Sequence, residues 1–536
     1  MGNPVLDGNG NTQPSYQVAE SGCTTQTLVS PTGASSPQLN DRFRFTADGT
    51  TMTASMLQGR SGSSTRLPTV TKTDSTYSSG YAGIARQTVN IAWGETHIFT
   101  KGQTEPPWVA PTATDIFLGP DIPDTGVPAG SNIGDGSFAN PLDWNWFQSY
   151  QSSIAGTGRH VWLRGGRYLA DVNKYFTSTG SGSHRDISAD CSSGGQCWLK
   201  SYPGEWAVLD TFSAPIGTTF GLAISGANWL VEDVEITNQY LDGNGINPRI
   251  YCTSASPYGI GFYADSTVFR YSVVRNNNQA VTGNSSSATG TSIIGNLIYN
   301  NGGIQGGDNN NCVFGHPMYV ENAGATTKHV VGNLIAKHLQ TSCRDGGVWQ
   351  IYSAGGATVR NMNVTDNIVF DVRGLIHETT SGDNNTFRRN SLFLPSTPFG
   401  IASWQYNSAA FESGLDWSEN DVHVQNFGMG YQLGAKFNNN QISWAGDPAT
   451  QKYMQFRMAQ TSQFSGAGAN GDTLAEFFSS TASDTDNNTY HRPHTADTNA
   501  FKHDNNNTSV TYRTFAGWKS ASGLDANSTF NSTLCP

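Results

Sequence analysis

Ile293-Ile-Gly-Asn296-Leu-Ile298 and Val330-Val-Gly-Asn333-Leu-Ile335 are one phrase written twice, 37 residues apart. Its pattern, short apolar runs around a polar residue, returns at Met362-Asn-Val-Thr-Asp-Asn367-Ile-Val369 and Phe387-Arg-Arg-Asn390-Ser-Leu392. Upstream it is foreshadowed at Leu230-Val-Glu-Asp233-Val-Glu-Ile236 and Phe269-Arg-Tyr-Ser272-Val-Val274. The intervals run from 23 to 39 residues. Self-similarity at that period argues for a solenoid. An amide side chain repeated at one position can bond to its own kind along the axis, which suits a turn stacked coil on coil. The spacing therefore predicts Asn333 directly between Asn296 and Asn367. Between the phrases lie second strands that open with glycine: Gly259-Ile-Gly-Phe-Tyr263, Gly315-His-Pro-Met-Tyr319, Gly347-Val-Trp-Gln-Ile351 and Gly374-Leu-Ile-His-Glu378.

Working outward, 400–406 and 422–432 read as further coils. On the N-terminal side, 142–154 reads as one amphipathic helix, followed by the strands Val161-Trp-Leu-Arg164 and Gly165-Gly-Arg-Tyr168. A helix there would cover the exposed end of the stack. Residues 1–110 read as all-β, with strands at 42–47 and 51–58. Glu105-Pro-Pro-Trp-Val-Ala-Pro111 reads as a linker. The expected parts are 1–110, a partial sandwich; 111–210, linker, first strands and capping helix; 211–446, coils; and 447–536, closing coils and cap.

Composition fits. Charged residues are 13% of the chain, glycines number 60, and aromatics at 11% argue against disorder. A net charge of −11 argues against nucleic acid as a partner. No apolar stretch approaches the roughly 18 residues of a membrane span, so no membrane insertion is expected. Met1-Gly-Asn-Pro4 shows no leader; removal of one, a fragment, or release without one are the alternatives. Seven cysteines include no CxxC pair, which disfavours a zinc ribbon. Cys191 and Cys197 bracket a flexible segment that a disulfide could close. Cys312 and Cys343 each stand three residues before a glycine, Gly315 and Gly346. That alignment places them on adjacent coils about 4.8 Å apart, within disulfide reach.

Gly315-His316-Pro-Met-Tyr319-Val-Glu-Asn322 with Lys328-His-Val-Val-Gly-Asn333 resembles a pattern in right-handed parallel β-helix proteins of the pectate-lyase-like superfamily. The resemblance covers roughly 116–536. Asp74-Ser-Thr-Tyr-Ser-Ser-Gly-Tyr-Ala-Gly-Ile84 resembles the late strands of concanavalin/laminin-G-like jelly rolls. Together they imply an all-β chain: a right-handed parallel β-helix solenoid preceded by a partial β-sandwich. They also imply a polysaccharide partner and an extracellular or virion setting. Half a sandwich leaves an open edge, so either an upstream part is lacking or another chain completes the sheet; a homotrimer is the other assembly expected. The polygalacturonase set is absent: there is no Asn-Thr-Asp, no Asp-Asp pair and no Gly-His-Gly.

Proteins with that resemblance include polysaccharide lyases, glycosidases and phage tailspike depolymerases; a glycan-binding adhesin is a further alternative for this chain. A lyase removes the proton α to a uronate carboxylate and needs a base and a cation beside it. Residues 325–392 hold seven Lys and Arg against five Asp and Glu, in a chain acidic overall. The expected constellation is Lys328 as base, Arg344 as carboxylate clamp, and His316 and Tyr319 as proton donors. Trp349, Tyr352, Arg373, His377 and Trp404 are the substrate-binding candidates. For a hydrolase, two carboxyls are required; Asp308, Glu321, Asp345 and Glu378 are candidates, and no spacing selects a pair. The third alternative is binding without catalysis. Against each assignment stands a structural one: solvated turns for Lys328 and Arg344, a packed His316, core aromatics. No metal-ligand set is expected. Some lyases use Ca²⁺, but no motif here specifies it.

Overall fold

The structure is a computed structural model. It describes residues 16–19, 26–29, 42–48, 51–57, 65–73 and 111–531, except 155–156, 158, 170–183, 194, 212–219, 238–240, 243–244, 247–257, 278, 284–287, 302–315, 339–347, 352–357, 373–376, 380–381, 395–400, 406–411, 425–426, 431, 445–453, 459–476, 480, 493–499 and 506–508. The chain divides into two units, Met1–Ala92 with Cys535–Pro536, and Trp93–Leu534. In the first, Arg42–Asp48, Thr51–Leu57 and Thr65–Thr73 form an antiparallel sheet, and Tyr16–Ala19 pairs with Gln26–Val29. The jelly-roll phrase at 74–84 and the linker's 105–110 lie outside the described residues.

The second unit is a right-handed parallel β-helix, the hand that parallel crossovers almost always take. The central coils lay one strand on each of three ladders, and later coils add a short strand to a fourth. One coil reads Ser292–Ile294, Leu297–Tyr299, Met318–Val320; the next reads Lys328–Val331, Leu334–His338, Trp349–Ile351. Among the described residues the ladders hold ten, thirteen and twelve strands respectively. Every second residue of a strand points inward. Phe269, Ile293, Val330, Val364 and Phe387 are accordingly wholly buried. Each such side chain contributes about 1.5–3 kcal/mol.

The turn from the ten-strand to the thirteen-strand ladder is the tightest. Asn296, Asn333, Asn367, Asn390, Asn420, Asn440 and Asn488 form one row there, at most 1% exposed. Each Nδ2 donates to the next Oδ1 over 2.9–3.3 Å. Each also donates to a carbonyl of the preceding coil, as Asn333 does to Ile293 at 2.9 Å. The row begins at Ser272, whose N–H donates to Asn296 Oδ1 at 3.0 Å. It ends at Asp525, which accepts from Asn488 at 2.9 Å. Asn333 does sit between Asn296 and Asn367.

The expected register fails in one place. Asp233 belongs to the residue before the amide row, where the backbone is left-handed: Asp233 φ 57°, Gly332 φ 65°, Asp366 φ 60°. Val234 is the residue matching Ser272, and its N–H donates to Ser272 Oγ at 3.2 Å. Left-handed backbone costs a β-carbon about 1–2 kcal/mol, which explains Gly295 and Gly332 in that position.

Both ends are covered. The expected helix over 142–154 is shorter: Trp144–Tyr150 is α-helical and Gln151–Ser153 is a 3₁₀ turn. Asp143 caps it, accepting from the Trp146 N–H at 2.8 Å. Its Trp144 and Phe147 are fully buried. At the other end Phe515–Ser522 is a helix whose Trp518 stacks on Phe501, centroids 5.3 Å apart. Cys191 and Cys197 are joined as a disulfide.

Candidate functional site

Connections differ sharply around the coil. From ten-strand to thirteen-strand ladder the chain needs only the steps Glu232 to Val234, Val331 to Leu334 and Thr365 to Ile368. The buried amide row fixes that length, since an insertion would break it. From thirteen-strand to twelve-strand ladder the steps are Thr237 to Tyr258, Tyr299 to Met318 and His338 to Trp349. Variable connections are where binding residues gather. They lead onto the twelve-strand ladder, and its outer face is the candidate site.

One register row builds it, and a second, of core parity with Gln279 and His316 each 3% exposed, lies beside it. At the start of the ladder, Tyr258, Gln279 and His316 occupy equivalent places on consecutive coils, each two residues before paired Ile260, Val281 and Met318. Along the strands, Thr282 pairs with Tyr319, Tyr319 with Gln350, Gln350 with Glu378 and Glu378 with Trp404. That row is of opposite parity to core Met318 and Trp349. His316 and Tyr319 stack, ring centroids 6.3 Å apart and 26° between planes. They are 3% and 8% exposed. Gln279 Nε2 donates to Thr282 Oγ1 at 2.5 Å, fixing the neighbouring amide.

Three aromatics extend the face. Phe220 lies 5.4 Å from Tyr258 and 5.6 Å from Tyr263 between centroids. Gly261 makes room for them: a β-carbon there would stand 2.9 Å from the Phe220 ring and 3.0 Å from that of Tyr263. Burial raises the Tyr258 hydroxyl above its ordinary pKa. Burial first, then Tyr258 and Asp186, raises Tyr263 further. Sequence reasoning passed over these residues. The signal was present in Tyr258-Gly-Ile-Gly-Phe-Tyr263, where glycine at alternate positions marks a close approach.

The expected catalytic set is only partly assembled. His316 and Tyr319 come together, but Lys328 does not join them. Lys328 shares parity with Val330, pairs with core Met362 and is 0% exposed. Its ammonium donates to the Glu321 carbonyl. Gly283 leaves space for it, since a β-carbon there would lie 3.2 Å from Nζ. Burial lowers its pKa to about 8, against the opposing pull of Glu321 and Asp265. The solvated turn set against the base role is thus corrected: Lys328 is an interior lysine. Trp349 is corrected too: it is 0% exposed and packs on Phe387, so no ring face is open to a ligand. Inward parity explains both.

Arg344, Tyr352, Arg373, Cys312 and Cys343 lie outside the described residues, as do Asp308 and Asp345. His377 and Trp404 are placed in strands His377–Thr379 and Ile401–Gln405, without described side chains. Glu321 is 5% exposed. Met318 pairs with Trp349, the register on which Cys312 and Cys343 were aligned. Among the described residues no cluster of metal-ligating side chains occurs, and no helix is long and apolar enough to cross a membrane.

A second polar cluster, on the ten-strand ladder, satisfies itself. Lys200 Nζ lies 4.7 Å from the ring centres of both Trp162 and Trp198. It is 3.9 Å from Glu232, which also takes Arg270 at 2.6 Å. Trp162 Nε1 donates to Asp115 at 2.8 Å. The group reads as packing that fastens the first coils.

No protein-family model and no curated protein matches the sequence. Among solved structures, the chain is similar to the A-module of Azotobacter vinelandii mannuronan C-5 epimerase AlgE6. Identity is 13%, with 73% of this chain and 94% of that one covered, and the TM-score is 0.38. An alginate lyase from Paenibacillus sp. str. FPU-7 is 14% identical over 66% of this chain and 89% of its own, TM-score 0.28. The Dettilon tailspike protein is 11% identical over 63% and 65%, TM-score 0.31. At such identities and scores the likeness says nothing about chemistry.

Proposed function

We propose that this protein acts on an acidic polysaccharide laid along the outer face of the twelve-strand ladder, and cleaves it by β-elimination at His316 and Tyr319. The observation that carries the reading is the stacked His316–Tyr319 pair, at the head of a row that continues coil by coil through Gln350, Glu378 and Trp404. Coils repeat every 4.7–4.9 Å or so, close to the rise of a sugar unit in an extended chain. Polar and aromatic residue types in such a row suit successive sugars.

In the proposed chemistry neutral His316 takes the proton α to the uronate carboxylate, a base role that buried Lys328 leaves open. The C4–O bond breaks as a C4–C5 double bond forms, and the Tyr319 hydroxyl gives its proton to the departing oxygen. Arg344, on the connection from His338 to Trp349, remains the proposed carboxylate clamp. Arg373, His377, Tyr352 and Trp404 remain proposed binding residues. The protein is incubated with a panel of uronate-containing polymers while ultraviolet absorbance of the unsaturated product is followed. Rising absorbance supports elimination. Retention of a polymer without product favours a binding protein of adhesin or tailspike type, the reading that the removal of Lys328 from the face supports.

A further inference from the structure

The structure points to a surface for a second copy of this chain: we propose that the outer face of the thirteen-strand ladder pairs with itself across a twofold axis. The inference is independent of the chemistry proposed for the twelve-strand ladder.

Two outward rows run along the thirteen-strand ladder, on either side of core residues such as Ile335 and Val369. One row reads Leu297, Leu334, Ile368, Ser391, Asp421. The other reads Arg275, Tyr299, Ala336, Phe370, Phe393, His423. Leu297, Leu334, Ala336 and Ile368 are each partly exposed, and Phe370 is 44% exposed. Solvent thus reaches apolar side chains on consecutive coils, and a contiguous patch of that kind marks an interaction surface.

The patch sets a knob beside a hole. Phe370 stacks on Phe393 with one ring face, centroids 5.6 Å and planes 7° apart. On its other side the row holds only the methyl of Ala336, so one rung of the ring stack is missing. Tyr299 stands on the coil beyond, about 10 Å along the axis from Phe370 at the usual coil spacing. That leaves room for one further ring at ordinary stacking distances.

A half-turn about the strand direction, midway between the coils of Ala336 and Phe370, brings two such faces together. Their strands are then aligned, as in stacked sheets generally. Phe370 of each copy enters the rung above Ala336 of the other, and Leu334 meets Ile368. The same axis lays the coil of Arg275 on that of Asp421 and His423, since each lies about 12 Å from it. The Asp421 carboxylate leans toward the Arg275 row, 3.2 Å from His423 Nε2. Arg275 of one copy therefore faces an acid of the other. One axis satisfies shape and charge together, as an isologous contact requires. Six coils of sheet, roughly 30 Å by 15 Å, give about 450 Å² per copy, near half of a standard interface. The dimer is accordingly reversible and concentration-dependent.

Sedimentation velocity on the full chain, from micromolar concentration upward, tests this. A monomer–dimer equilibrium is expected. Phe370→Asp removes the knob and Ala336→Trp fills the hole; each should raise the dimer dissociation constant at least tenfold. Asp421→Arg should raise it at least threefold, because it sets cation against cation. Tyr512→Asp, at an exposed side chain on the twelve-strand ladder, should leave it unchanged. Melting curves confirm folding, and Ala336→Trp carries the test should Phe370→Asp misfold. A monomer at every concentration overturns the proposal, and so does a trimer. A dimer indifferent to Phe370→Asp and Ala336→Trp forms through another face and overturns it as well. Weakening by those two but not by Asp421→Arg overturns the axis placed here.

Discussion

The side-chain amide of Asn333 donates to Asn367 Oδ1 over 2.9 Å, while its own Oδ1 accepts both the backbone and side-chain N–H of Asn296, each at 3.0 Å. One side chain thus satisfies two coils. Water cannot substitute, because the whole row is buried.

Asn333→Leu should orphan the Asn296 donors and the Ile293 carbonyl at once. A loss of about 1–3 kcal/mol is expected for each group left without a partner. Denaturant unfolding checks it. A change below a few tenths of a kcal/mol would show that the row does not hold the turn.

Lys328 gives stability a pH dependence of known sign. Its folded pKa of about 8 lies below the ordinary 10.5. Between those values the unfolded chain binds a proton that the folded chain has released, so this residue's contribution to stability rises with pH across that window. Below about 8, burying the charge opposes folding. Lys328→Met should match Met362 on the next coil and remove that rise. Near neutral pH it should stabilise by on the order of 3 kcal/mol, at 1.36 kcal/mol per pKa unit. Melting curves of both proteins from pH 6 to about pH 11 decide it; parallel curves would refute the assignment.

His316→Gln and Tyr319→Phe should each lower turnover at least tenfold on any polymer the protein cleaves, with little change in melting temperature. Arg344→Ala should do the same. Lys328→Met should retain turnover, since its ammonium faces inward. Full activity in both His316→Gln and Tyr319→Phe would remove the proposed site.

Cys312 and Cys343 should be disulfide-bonded in an oxidising medium, an expectation from their equal spacing to Met318 and Trp349, which do pair. Peptide mapping without reduction checks this. Free thiols at both positions would refute it.

The sequence by itself determined the coil. Repeated asparagines predict stacked turns because an amide is both donor and acceptor, and one position repeated at a fixed place in the coil must stack. It also held the parity of Lys328 and Trp349, through their spacing from Val330 and Ile351. That went unread because a lysine beside arginines suggests a solvated patch. What only the tertiary structure decided is which residues share a face across coils. Tyr258, Gln279 and His316 are separated by 21 and 37 residues, yet they fall into one row. Connections of unequal length conceal that alignment in the chain, while hydrogen bonding between neighbouring strands enforces it in space.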